Sequence, residues 1–180
     1  MPPADTLLDI ASGAGLPVVG IGKIEDIFSG RGLTTKVHTE GNADGMQKTL
    51  DAVRETPKGI IFTNLVDFDM LYGHRNDPVG FARALEYFDS QLGNILDTLD
   101  GGDLLVITAD HGNDPTTPST DHSREYVPIL CSQKSGGNGV NLGTRKSFAD
   151  AGKSVADYLD VDEPGVLAGE SFLRAILPSN

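Results

Sequence analysis

Apolar positions along the chain fall into short clusters broken by glycine, proline and polar residues, and their spacing alternates between the strand and helix periods. Asp5 is placed to cap a helix from Thr6 to about Ala14, with Gly15 as its stop. Leu16–Ile21 then reads as a short buried strand, and a brief helix follows at Ile24–Phe28, ending at Ser29-Gly30. Thr34–Thr39 is β-branched and predicts a strand. Asn42 is a candidate cap for a helix that carries Ala43, Met46, Leu50 and Val53 on one face. Gly59–Leu65 is a second buried strand. Asp77 and Pro78 open a long helix whose stripe is Phe81, Leu85, Phe88, Leu92, Ile95, Leu96 and Leu99, ended by Gly101-Gly102. Asp103–Thr108 is again strand-like, so this stretch predicts a βαβ unit with parallel strands and a right-handed crossover. Val127–Cys131 predicts a further strand, with Pro128 placing it near an edge or at its start. Phe148, Ala151, Val155 and Leu159 mark another amphipathic helix, and a short last helix is expected near Glu170–Leu177.

Alternating strands and helices build an open, mostly parallel sheet covered on both faces, a three-layer α/β/α sandwich. The whole chain, 1–180, is of a size for one such α/β domain. In sheets of this kind ligands sit beyond the carboxyl ends of the strands. The Gly59–Leu65 strand runs into Asp67, Asp69 and His74. The Asp103–Thr108 strand runs into Asp110 and His111, and the next loop carries His122. Three of the four histidines therefore fall on loops at one sheet edge.

Imidazole nitrogen and carboxylate oxygen together suit a divalent transition metal such as Mn or Zn. Helix capping or an ordinary surface position explains any one of these residues taken singly. That explanation weakens for the set, since it must bring Asp69, His74, Asp110, His111 and His122 to one edge by chance. Asp67, Asp114 and Asp121 flank the candidates, and orienting a ligand or shaping a loop accounts for them equally well. His38, in a strand away from the cluster, reads as a surface histidine.

Charge sharpens this picture. The net charge is −12, and residues 55–125 hold 13 acids against Lys58, Arg75, Arg83 and Arg124. A basic face for nucleic acid is absent. A solvated acidic surface, or acids turned toward a cation, explains the concentration. No apolar run approaches the roughly 20 residues of a spanning helix, so no membrane partner is expected. Met1-Pro2-Pro3-Ala4-Asp5 has neither the basic start nor the apolar stretch of a signal peptide. Cys131 is the single cysteine and reads as a buried, inert thiol; without a disulfide framework, a cytoplasmic location is expected. Lys23, after Gly20-Ile21-Gly22 at a strand end, could meet a phosphate as a point charge, although the spacing is not that of a P-loop.

The segments Val66-Asp67-Phe68-Asp69, Tyr72-Gly73-His74, Thr108-Ala109-Asp110-His111-Gly112-Asn113-Asp114 and Thr120-Asp121-His122-Ser123-Arg124-Glu125-Tyr126-Val127-Pro128 together resemble the phosphopentomutases of the alkaline phosphatase superfamily, as does Gly20–Phe28. The resemblance runs along nearly the whole chain. It implies an alkaline-phosphatase-like core and an isomerase that moves phosphate between C1 and C5 of ribose or 2-deoxyribose. It further implies two Mn ions, a phosphothreonine carrier and a bisphosphorylated sugar activator. By motif, Asp69, His74 and His122 match the ligands of one metal, Asp110 and His111 match two ligands of the second, and Lys23 falls in a segment facing the substrate. The family's threonine nucleophile, a further aspartate ligand and the cap domain have no counterpart in these residues. The resemblance therefore implies the C-terminal portion of an incomplete core, inactive alone, with one metal site nearly complete and a surface left open to self-association. Thr63, Thr108, Thr116, Thr117 and Thr120 are substitute nucleophiles by composition only. Another phosphohydrolase or phosphoglycerate mutase of the superfamily, and a non-catalytic metal-binding or interaction module, are the competing readings.

Overall fold

A computed structural model describes residues 2–134, 139–163 and 165–177. Helix α1 spans Leu7–Gly13, strand β1 Val18–Ile21, α2 Ile24–Phe28, β2 Thr35–Val37, α3 Asn42–Glu55 and β3 Ile60–Thr63. A π-helical turn at Phe68–Tyr72 and a 3-10 turn at Gly73–Arg75 lead into α4, Pro78–Thr98. Strands β4 (Leu105–Thr108) and β5 (Ile129–Ser132) and helices α5 (Ala149–Leu159) and α6 (Leu173–Ile176) complete the order. The architecture is α/β, an incomplete three-layer sandwich with both parallel and antiparallel strand pairs.

Strand β1 is central and wholly buried, and it pairs in parallel with β2 on one side and β3 on the other. One core cluster, Leu8, Ala11, Val18 and Ile24 with Phe28, Leu33 and Ile60, fills one face. A second, Met46, Ile95 and Leu99 with Leu50, Phe88, Leu65 and Leu105, lies under α3 and α4. Leu65 follows β3 and Leu105 lies in β4, so a single helical layer spans both β units.

The expected βαβ pairing is corrected. Among the described residues β3 pairs with β1, and β4 pairs with β5 in antiparallel register, Thr108 opposite Ile129. Hydrophobic period identifies strands but not their neighbours, and here the long loop after β4 folds back to supply β4's partner. Pro128 sits immediately before β5, where no ladder donor is lost.

Local signals mostly hold, with three shifts. Thr6, not Asp5, caps α1: its N–H and hydroxyl both donate to Asp9 Oδ2 at 2.8 Å, while Asp5 pairs with Arg31 at 2.7 Å. Those Thr6 bonds, with the nearby Arg31, keep the Asp9 carboxyl below its ordinary pKa against the opposing effect of burial. Gly41 takes the cap position of α3 at φ 145°, and Asn42 is the first helical residue. Asp77 caps α4 as expected, accepting from Gly80 N–H at 2.9 Å. In α5 the buried face is Asp150, Ser154 and Ala156, whereas Phe148 is exposed. Those polar groups are buried because they bind the returning C-terminal segment. Asp150 accepts from Arg145 Nε and from Glu170 N–H, each at 2.9 Å, and Ser154 Oγ accepts from Phe172 N–H at 2.9 Å.

Candidate metal centre

The loops leaving β3 and β4 meet. Asp69 lies in the π-helical turn, a feature frequent at functional sites, and His74 in the 3-10 turn behind it. Phe68 anchors this loop on Phe81 of α4, with ring centroids 5.3 Å apart. A reciprocal pair fastens its start, as Asn42 N–H donates to Asp67 Oδ2 at 2.7 Å and Asp67 N–H donates to Asn42 Oδ1 at 3.0 Å. Asp67 thus serves loop structure.

The β4 loop closes on itself through a bridge between Gly112 and Ser123, whose N–H donates to the Gly112 carbonyl at 3.0 Å. The bridge stacks His111 on His122, with centroids 3.6 Å apart and planes 18° apart, and His74 also stacks on His122 at 4.9 Å. All three rings turn Nε2 toward Asp69 Oδ1: His74 at 3.2 Å, His122 at 3.3 Å and His111 at 3.9 Å. Asp69, His111 and His122 each offer a ligand atom within 4.8 Å of the others.

The tautomers follow from the outer bonds. His74 Nδ1 faces the Thr120 carbonyl and His111 Nδ1 the Gly112 carbonyl, so each Nδ1 carries the proton and donates. Each Nε2 then faces a carboxylate oxygen. Lone pairs facing a carboxylate repel unless a proton or a cation lies between them. Imidazoles gathered around one carboxylate, two of them held by carbonyls, are the donor set and outer support of a borderline divalent cation, and these residues fit one.

Asp69, His74, His111 and His122 are therefore brought together. His111 Nε2 lies 3.9 Å from Asp69 Oδ1 and 3.7 Å from Asp110 Oδ1, so Asp110 and His111 adjoin the group of Asp69, His74 and His122. Asp110 is the rim residue, its side chain 60% exposed. Lys23 Nζ lies 2.9 Å from the Sδ of Met70, the residue that follows Asp69 in the chain. Asp114 serves its own turn: Thr116 N–H and hydroxyl donate to it at 2.8 and 2.7 Å and hold its carboxyl below the ordinary range. Asp121 has a structural part too, its N–H donating to Ser119 Oγ at 3.0 Å. His38 is exposed and outside the cluster. Burial raises the Cys131 thiol, in keeping with an inert role. One residue escaped the sequence reading: Asn113 Nδ2 donates to Asp69 Oδ1 at 2.8 Å.

Residues 11–163 match the Metalloenzyme superfamily. The chain belongs to that superfamily. Among curated relatives it is 57% identical over 97% of its length to a phosphopentomutase of Anaeromyxobacter dehalogenans, covering 44% of that protein. It is 57% identical to a phosphopentomutase of Acetivibrio thermocellus over 98% of its length and 45% of the relative. It is 54% identical to a phosphopentomutase of Clostridium novyi, again over 98% of its length and 45% of the relative. The chain thus spans less than half the length of these relatives. Among solved structures, the PH0037 protein of Pyrococcus horikoshii shares the fold, at a TM-score of 0.62 and 19% identity, covering 91% of this chain and 53% of that one. No helix among the described residues is long and apolar enough to cross a membrane.

Proposed function

We propose that this superfamily member is the C-terminal part of the catalytic core of a phosphopentomutase, in which Asp69, His74, His111 and His122, with Asp110 at their rim, hold manganese. The carrying observation is the convergence of three imidazole Nε2 atoms on Asp69 Oδ1. Identity of 54–57% to the phosphopentomutases named above supports the substrate class, a pentose phosphate.

When bound, a divalent cation neutralises phosphoryl oxygens and lowers the pKa of an attacking hydroxyl. The chain's own residues do the rest. The Thr120 and Gly112 carbonyls accept from Nδ1 of His74 and His111 and orient both rings with Nε2 toward the centre. Asp69 supplies the negative charge at the centre. Lys23, at the carboxyl end of β1, meets a substrate phosphate as a point charge. In a chain of net charge −12, a bound cation would reverse the local sign and let an anionic sugar phosphate approach.

The second manganese ion, the phosphothreonine carrier and the sugar-bisphosphate activator belong to the proposal for a protein of the relatives' full length. Four of the five candidate threonines are occupied structurally. Thr63 shares a hydrogen bond with Thr49 at 2.7 Å, Thr108 donates to the Pro128 carbonyl at 2.9 Å, and Thr116 and Thr117 donate to Asp114 at 2.7 and 3.0 Å. This chain alone is accordingly inactive as a mutase, and its setting is the cytoplasm.

Turnover of ribose 1-phosphate against a generic aryl phosphate, with Mn and a protein of the relatives' full length, tests the reaction class. Preference for the pentose phosphate supports the proposal. Preferential hydrolysis of the aryl ester overturns it in favour of a phosphohydrolase. Mn binding with turnover of neither substrate overturns it in favour of a non-catalytic metal module.

A further inference from the structure

Gly73 is buried, and its backbone does not ask for glycine. Its φ of −61° and ψ of −62° suit any L-residue. What excludes a side chain is one neighbour. A methyl group at Gly73 would overlap the Asn113 carboxamide, whose Nδ2, Cγ and Oδ1 are its three nearest atoms. Asn113 in turn donates from Nδ2 to Asp69 Oδ1 at 2.8 Å, the same oxygen that the three imidazoles face. The nitrogen must be the atom facing Asp69, since an ionised carboxylate only accepts.

The amide therefore sits as a wedge between the two ligand-bearing loops. Gly73 immediately precedes His74, and Asn113 follows His111 by two positions. A neutral donor suits the place. It holds the carboxylate without a cation that would compete for the site, and without the repulsion that a second carboxylate would bring.

We propose that Asn113 is a positioning residue that fixes the Asp69 carboxylate toward the imidazoles, and that Gly73 is a glycine in order to seat the Asn113 amide. The inference rests on the reading of this cluster as a cation site. Loss of such an outer partner typically weakens metal binding by about 10–100-fold.

The test is a double-mutant cycle read by calorimetric titration of Mn into the whole chain, with circular dichroism of each metal-free variant as the folding control. Asn113→Ala should weaken binding by about 10–100-fold, and Gly73→Ala should do the same by displacing the amide. The double variant Gly73→Ala/Asn113→Ala should bind no more weakly than Asn113→Ala, because the new methyl enters vacated space. If Gly73→Ala fails to fold and the double variant folds, that rescue supports the wedge equally. Wild-type affinity in Asn113→Ala, or losses that multiply in the double variant, would overturn it, as would a double variant that fails to fold when Asn113→Ala folds. Absence of Mn binding by the wild type is a different failure, which overturns the cation reading and the wedge together.

Discussion

Replacing Asp150 tests whether buried polar groups, rather than an apolar stripe, hold α5 and the C-terminal segment in place. The Asp150 side chain is only 5% exposed, against 24% for Arg145, which donates to it at 2.9 Å. Its second oxygen accepts from Glu170 N–H at 2.9 Å. Removing one partner of a buried ion pair costs roughly 3–5 kcal/mol, because the other charge is left uncompensated. Arg145 retains some solvent, a 3.0 Å bond to the Glu170 carbonyl and the Phe172 ring 5.8 Å from its guanidinium carbon, so Asp150→Ala belongs at the low end, about 3 kcal/mol. Asp150→Asn keeps the acceptor for Glu170 but gives up the charge facing Arg145, and should cost about half as much, ~1.5 kcal/mol. Urea unfolding followed by far-ultraviolet circular dichroism measures both. The two variants should rank in that order. An Asp150→Ala midpoint equivalent to less than about 1 kcal/mol of destabilisation would refute the reasoning, because that is the range of an exposed pair.

Other outcomes follow from the same geometry. Lys153 and the Leu167 N–H bond to Glu163 and hold its carboxyl below its ordinary value of 4.5. A lowered folded pKa gives stability that is present above pH 4.5 and is lost as pH falls through the folded value, so Glu163→Gln should be less stable than the wild type at pH 7 and should flatten the acid limb below pH 4.5, where the two proteins converge; an unchanged acid limb in urea titrations would contradict this. Among the described residues β3 and β4 each pair with one strand only, and Phe62 and Leu130 are 38% and 60% exposed on β3 and β5. Such edges predict self-association that deepens with concentration in sedimentation velocity, and a strictly monomeric boundary at high concentration would count against it.

Much of this molecule is legible in its sequence where the signal is local. Asp77-Pro78 announces the start of α4 because cap and first-turn chemistry involve only near neighbours. Strand ends rich in Asp and His mark the site because a parallel sheet presents its carboxyl ends together. Strand partners are less legible, since the same apolar run fits beside β1 or β5. The inward face of α5 was concealed because Asp150 and Ser154 read as solvent-facing until the segment they bind is in place. Asn113 was invisible for a related reason. A neutral amide carries no metal-ligand signature, and Gly73 looks like any loop glycine until the amide beside it is seen.

The central claim is that Asp69 and its surrounding imidazoles form a site for one divalent cation. Calorimetric titration of Mn into the chain, beside its Asp69→Asn variant, tests it most directly. One saturable site per chain, lost in the variant, is the predicted result. No saturable heat in the wild type, or equal binding by both proteins, would contradict it.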